Sequence, residues 1–146
     1  KRLYPEVKTI YHSPYMRTAQ TAKIISKSFG GVKCLITNHL KPYADAQKFQ
    51  KFICDLATDQ TYFFVGHEPS LGQILSFTLS QNTVSFVVFK KGGFAVVKQT
   101  PIVTKMNATG TWRDKNTKVR GHCKKRFEAK LICLVSPSLM KKMIKM

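Results

Sequence analysis

Acidic residues are scarce in this chain. Its 146 residues hold 7 Asp and Glu against 25 Lys and Arg, a formal net charge of +18. That imbalance leaves the fold open but narrows the partners to anions: phosphate, nucleic acid or acidic protein surfaces. Long apolar runs are also missing. No segment approaches the ~18 consecutive apolar residues of a membrane span, and no signal-peptide pattern opens the chain. No membrane association is expected, and a cytoplasmic location is. Cysteine is sparse and unpatterned: of the 4, none form a Cys-x-x-Cys pair, and Cys54 and Cys133 sit inside apolar runs. They read as reduced, mostly buried thiols. His122 and Cys123 are adjacent but lack zinc-ligand spacing, so neither a metal nor a cofactor is expected. There is no internal repeat and no low-complexity tract. The chain opens with Lys1 rather than Met, which suggests a fragment or processed product of something longer.

What is present is a globular composition, 43% hydrophobic, over a length that suits one domain spanning residues 1–146. Val7 to Tyr11 reads as a strand closed by the turn signal Ser13-Pro14. Tyr15, Ala19, Ala22, Ile25 and Phe29 then recur on one helical face until Gly30-Gly31. Val32 to Ile36 is a second short strand. Ala46, Phe49, Phe52, Ile53 and Leu56 mark a second amphipathic helix. Thr61 to Val65 is nearly continuously apolar, as a parallel strand buried on both faces should be. Leu71, Ile74, Leu75, Thr78 and Leu79 mark a third helix with Pro69 in its first turn. Ser85 to Phe89 and Phe94 to Lys98 read as two strands joined at Gly92-Gly93, and Ala129 to Val135 as a last strand ended by Pro137, with a short basic helix or tail after it. Strands alternating with helices predict an α/β domain: a mainly parallel sheet with helices on both faces.

Two stretches carry the chemistry: Ser13-Pro-Tyr-Met-Arg-Thr-Ala-Gln-Thr-Ala22 and Val65-Gly-His-Glu-Pro-Ser-Leu71. Each runs from a strand into a helix, and each puts one phosphate-compatible side chain, Arg17 or His67, near a helix start. Ligands of open α/β sheets collect at the carboxyl ends of strands, and helix N-termini present free N–H groups and partial positive charge. Arginine suits phosphate through its fixed fork of donors. A histidine beside it can donate to a phosphoryl oxygen and stabilise charge in the transition state. Gly66 leaves room for close approach. Taken singly, Arg17 reads as an exposed helix arginine, His67 as a turn histidine, Ser13-Pro14 as a plain turn and Glu68 as an acid that favours the helix N-terminus electrostatically; the joint occurrence of the two motifs, in this order, favours an anion pocket.

These two stretches resemble the histidine phosphatase superfamily, the phosphoglycerate mutase-like group, and are most similar to the small SixA-type phosphohistidine phosphatases. The resemblance covers Val7 to Gln99 and resumes at Ala129 to Pro137. It implies hydrolysis of a phosphohistidine or a phosphate ester in two steps through a phosphohistidine intermediate. It also implies that Arg17 and His67 enclose the phosphoryl group as catalytic and substrate-binding residues, with Ser13 in the substrate-binding set. The family's nucleophile, the histidine of an Arg-His-Gly motif on its first strand, has no counterpart here. Arg120-Gly121-His122 has the letters in another order. The resemblance therefore implies a phosphoglycerate mutase-like domain without its first βα unit, inactive by itself, with an unpaired sheet edge. His12 stands where a serine is common. Glu68 stands where small members often carry asparagine, and by likeness to acid phosphatases of the wider superfamily it is a candidate proton donor; Asp45 is a remoter one.

The segment from Thr100 to Phe127 is polar and basic, with Arg113, Lys115, Lys118, Arg120, Lys124, Lys125 and Arg126. It reads as a solvated loop insertion over 100–128; the alternative is a patch for an anionic substrate or nucleic acid. Only Trp112 and Phe127 flank the cluster, so the expected partner is a phosphorylated protein or a small phosphate ester rather than nucleic acid. The short stretch between Gly30 and Gln60 leaves no large cap over the pocket, which favours a phosphate carried on a protein. Two other classes remain: a non-catalytic phosphate-binding relative, and a basic nucleic-acid-binding protein.

Overall fold

In the computed structural model, residues 6–82, 84–102 and 126–135 are described. The first strand, β1 (Val7–His12), forms where alternation is apolar on both faces, and it becomes the centre of a three-stranded parallel sheet of order β2-β1-β3. Its neighbours are β2 (Cys34–Ile36), in register Ile10 to Cys34, and β3 (Thr61–Val65), in register His12 to Val65. A bulge between Val7 and Thr9 turns Lys8 out to solvent.

The sheet is covered on both faces, as expected. Successive strand residues point to opposite sides, so Ile10, Phe63 and Val65 meet one cluster while Tyr11 and Phe64 meet the other. On the first face lies α1 (Met16–Ser28), whose Ala22 is fully buried against Val7, Ile10 and Val65. On the second lie α2 (Ala46–Cys54) and α3 (Ser70–Ser80), which pack together around Leu40, Phe49 and Ile74. Tyr11 stands edge-on to Phe52 at 5.2 Å between ring centroids, and Phe49 edge-on to Phe64 at 5.1 Å, a geometry that adds to area burial.

The helix ends follow local chemistry. Gly30 and Gly31 take φ of +83° and +87°, which a side chain resists, and the Gly31 N–H turns back to the Ser26 carbonyl at 2.8 Å. Asp45 Oδ1 caps α2 by accepting the N–H groups of Gln47 (2.8 Å) and Lys48 (3.2 Å). Asp45 is thereby a structural cap.

One expected strand does not form. Residues 84–89 lie extended along α3, and their amides go to a side chain instead of a ladder: Ser76 Oγ accepts from Phe86 N at 3.0 Å and Val87 N at 3.2 Å. The partner of β4 (Phe94–Ile102) is instead β5 (Arg126–Val135), in an antiparallel two-stranded sheet from Phe94–Val135 to Ile102–Arg126. The expected basic loop over 100–128 is accordingly shorter, since residues 100–102 and 126–128 are strand. Its interior, with His122, Cys123 and Trp112, lies outside the described residues, as do Pro137 and the expected basic tail. Of the cysteines, Cys54 is buried and Cys34 and Cys133 are half-buried; none of these three is in a disulfide. No helix among the described residues is long and apolar enough to cross a membrane.

Candidate anion site at the carboxyl ends of β1 and β3

The parallel register brings the two motifs together. β1 and β3 end level, His12 opposite Val65, and the ladder extends one step further as Ser13 N donates to the Val65 carbonyl at 3.1 Å. The chain then departs from β1 into α1 and from β3 through Gly66 toward α3. A Cβ at Gly66 would lie 3.3 Å from the Leu40 carbonyl oxygen and 3.1 Å from Leu71 Cδ2, so glycine permits the tight exit that brings His67 back over the strand ends.

His67 is held there on two sides. Its Nε2 is 3.1 Å from Ser13 Oγ, and the Tyr15 ring meets the imidazole edge-on at 5.3 Å. Ser13 is itself fixed. Its carbonyl accepts from His12 Nδ1 at 2.8 Å and shares the Thr18 hydroxyl, at 2.9 Å, with the Tyr15 carbonyl at 2.7 Å. A carbonyl only accepts, so His12 carries its proton on Nδ1 in this contact. His12 is thus turned inward, 7% exposed, as part of the floor. Ser13 is fully buried beneath His67.

Arg17 sits in the first turn of α1, exposed, and among the described residues it forms no ion pair. The N-cap position of α1, Tyr15, supplies no side-chain cap, and the first turn has no acid. That end of the helix keeps its partial positive charge uncompensated. The site's electrostatics register on His67, whose pKa is pushed below the ordinary 6.5, first by desolvation and then by the Arg17 charge. A neutral imidazole beside a guanidinium is a donor pair for an oxyanion, and the arriving negative charge would relieve the repulsion between Arg17 and a protonated His67.

Glu68 does not face this pair freely. Its Oε1 accepts the Gly72 N–H at 3.0 Å, so the carboxylate caps α3. Loop 41–44 is tied to the same helix start, since Ala44 N donates to the fully buried Ser70 Oγ at 3.2 Å. The structure joins Ser13 to His67 by a hydrogen bond, puts Arg17 in the first turn of α1 where its charge is felt at His67, engages Glu68 in a capping role, and puts Asp45 at a different helix. Sequence reasoning did not single out Tyr15 or Thr18 for the site. Thr18, immediately after Arg17, was legible only as a polar residue on the buried face of α1. Among the described residues no group of three or more His, Cys, Asp or Glu is arranged to hold a metal.

No family model matches the chain, and neither does any curated protein.

Proposed function

We infer that the chain carries the phosphate-binding half of a phosphoryl hydrolase of the histidine phosphatase type, with a phosphoglycerate mutase-like fold. The observation that supports this most is the placement of His67 over the adjacent ends of β1 and β3, its imidazole anchored on Ser13 and its pKa lowered first by burial and then by the charge of Arg17 in the first turn of α1. In this reading Arg17 holds two phosphoryl oxygens, His67 donates to a third, and the uncapped start of α1 adds its dipole. Glu68 is the remaining candidate for protonating a leaving group, once released from Gly72.

The sequence holds no Arg-His-Gly that could supply the attacking histidine. β3 pairs with β1 on one side and with no described strand on the other, and β4 and β5 form a separate sheet. An added strand beside β3 would end level with His67. Between the end of β2 and the start of β3 the chain builds only a 3-10 turn (Asn38–Leu40) and α2, which supports an uncapped pocket and a phosphate carried on another protein. A phosphate site used for binding alone is the second reading, favoured by the engagement of Glu68 with Gly72.

Titration of the whole chain with inorganic phosphate, followed by NMR, tests the inference. Loss of a charge-assisted hydrogen bond predicts about ten-fold or more weaker binding in Arg17→Ala and in His67→Ala. Salt-sensitive DNA binding, if present, should survive both changes. Phosphate affinity unchanged in both variants would remove the reading. A strand ending in Arg-His-Gly, joined ahead of residue 1, should confer hydrolysis of a phosphohistidine protein if the site is catalytic; binding without turnover would leave the second reading.

A further inference from the structure

The buried hydroxyl of Ser13 raises a question of proton bookkeeping that settles how His67 meets a ligand. Ser13 is fully buried, so its O–H proton must find an acceptor or forfeit a hydrogen bond. Two groups approach Oγ among the described residues: Tyr15 N at 3.5 Å and His67 Nε2 at 3.1 Å. The first is a backbone donor and cannot take the proton. Only His67 Nε2 can.

We propose that Ser13 is a positioning residue that sets the tautomer of His67, holding Nε2 as the acceptor and presenting Nδ1–H as the donor to a bound oxyanion. The inference rests on the anion-site reading for its functional meaning, though not for its geometry. In this arrangement Ser13 Oγ–H donates to Nε2, Tyr15 N–H donates weakly to Ser13 Oγ, and the imidazole proton sits on Nδ1. An imidazole in water prefers the opposite tautomer, so the site imposes a state that His67 would not choose alone. The ring is also fixed in plane by Tyr15 standing edge-on. A ligand then meets one N–H of fixed direction, which matches a tetrahedral oxyanion better than a freely rotating imidazole does. When an anion draws a second proton onto His67, it must enter at Nε2. Ser13 then becomes the acceptor and its own O–H proton loses its partner, so the buried hydroxyl favours the neutral, Nδ1-protonated imidazole.

The ground is distinct from the substrate-contact role expected for Ser13. A fully buried hydroxyl under the imidazole acts through His67 and touches no ligand in the unoccupied arrangement. His12 Nδ1 and the shared Thr18 hydroxyl, both on the Ser13 carbonyl, fix the backbone that carries the hydroxyl.

Side-chain 15N NMR of the whole chain reads the tautomer directly, with His67→Gln assigning the signals. The expected result is neutral His67 protonated on Nδ1 in the wild type. Ser13→Ala should return it to the Nε2–H form and weaken inorganic phosphate binding by roughly three- to ten-fold, the worth of one hydrogen bond. Ser13→Thr, which keeps the hydroxyl, should restore both. A wild-type His67 protonated on Nε2 overturns the proposal without any variant, so a poorly folded Ser13→Ala does not shield it. An unchanged tautomer in Ser13→Ala also overturns it. The two readings fail separately: a wild type that shows the Nδ1–H tautomer but binds no phosphate defeats the anion site and leaves the tautomer assignment standing.

Discussion

Gly72 is the position where one methyl group should do the most damage. A Cβ there would run into the main-chain carbonyl oxygen of Val87, with Glu68 Oε2 3.2 Å away. The carboxylate can swing aside; the carbonyl cannot without moving residues 84–89. Those residues are pinned by Ser76, which is itself fully buried: its Oγ donates to the Gly72 carbonyl at 2.8 Å and accepts from Phe86 N and Val87 N. Gly72→Ala leaves two routes. The strap stays and the helix is overpacked, at about 1–3 kcal/mol and toward the upper end against a carbonyl. Or the strap peels off, giving up two hydrogen bonds at roughly 0.5–1.5 kcal/mol each and the burial of Val87 at about 1.5 kcal/mol. The chain takes the cheaper route, so the expected loss is about 2–3 kcal/mol, within the range of other overpacked cores. Urea unfolding should show a midpoint lower by about 1 M for a slope of 2–3 kcal/mol/M. Amide exchange separates the routes: peeling accelerates exchange at Phe86 and Val87 while β1 stays protected. Ser76→Ala should give the same exchange pattern without a clash. A Gly72→Ala protein within about 0.5 kcal/mol of wild type, with Val87 still protected, would refute the packing argument.

Other expectations follow from the capping and the charges. Burial, then Arg17, lowers the His67 pKa. The unfolded chain therefore takes up the proton first: the associated stability is complete above pH 6.5 and is lost as pH falls through the lowered folded value. Arg17→Met should raise the His67 titration midpoint by NMR only part of the way to 6.5, because burial, the larger cause, remains; an unmoved midpoint would show that Arg17 is not felt there. Asp45→Ala should cost about 1 kcal/mol in urea unfolding through loss of the α2 cap, with phosphate affinity unchanged; a loss of phosphate binding would place Asp45 in the site. Glu68→Gln retains an oxygen that can accept Gly72 N–H, so stability should stay within about 0.5 kcal/mol and phosphate binding should tighten as a negative charge leaves. Weaker binding would mean that Glu68 supports the site in some other way.

Element existence was legible because period and punctuation agreed. Thr61 to Val65 reads as a doubly covered strand and is one, and Gly30-Gly31 reads as a stop and takes two left-handed conformations. The placement of the two strand-to-helix motifs at adjacent strand ends was legible, since each follows an apolar strand. Residues 84–89 were not. Val-Ser-Phe-Val-Val-Phe has every local feature of a strand, yet local preference names no partner. Ser76 supplied the acceptor, and nothing about a serine within an apolar helix announces that its hydroxyl will serve two amides ten and eleven residues later. The capping of α3 by Glu68 was missed as a hydrogen bond for a related reason: an acid after a histidine suits proton transfer and helix dipoles equally, and only the 3.0 Å contact to Gly72 distinguishes them.

The two sheets explain why the chain reads as an α/β pattern yet is left with exposed apolar residues. A strand that is apolar on both sides is adapted to a sheet covered on both faces. β3 meets that condition, but along one edge only is it paired among the described residues. β4 carries Phe94-Ala-Val-Val97 and β5 carries Leu131-Ile-Cys-Leu134, runs just as continuous, yet Ile132 and Leu134 are about half exposed, at 51% and 46%. Two strands alone are marginal in water and need a third or a covering layer. Val84, Phe86 and Val88 add to the uncovered surface, at 65%, 61% and 81% exposed. One physical condition is common to these exposures: apolar side chains that no described layer covers, on β5 and on the non-strand segment 84–89 alike. The candidate site lies at the ends of β1 and β3, which hydrogen-bond to each other in register with His12 opposite Val65. Its floor therefore does not depend on what covers the remaining apolar surface. If the site binds phosphate as proposed, binding rests on those two strand ends alone, whereas hydrolysis would need a nucleophile from elsewhere, so the two are separable by experiment.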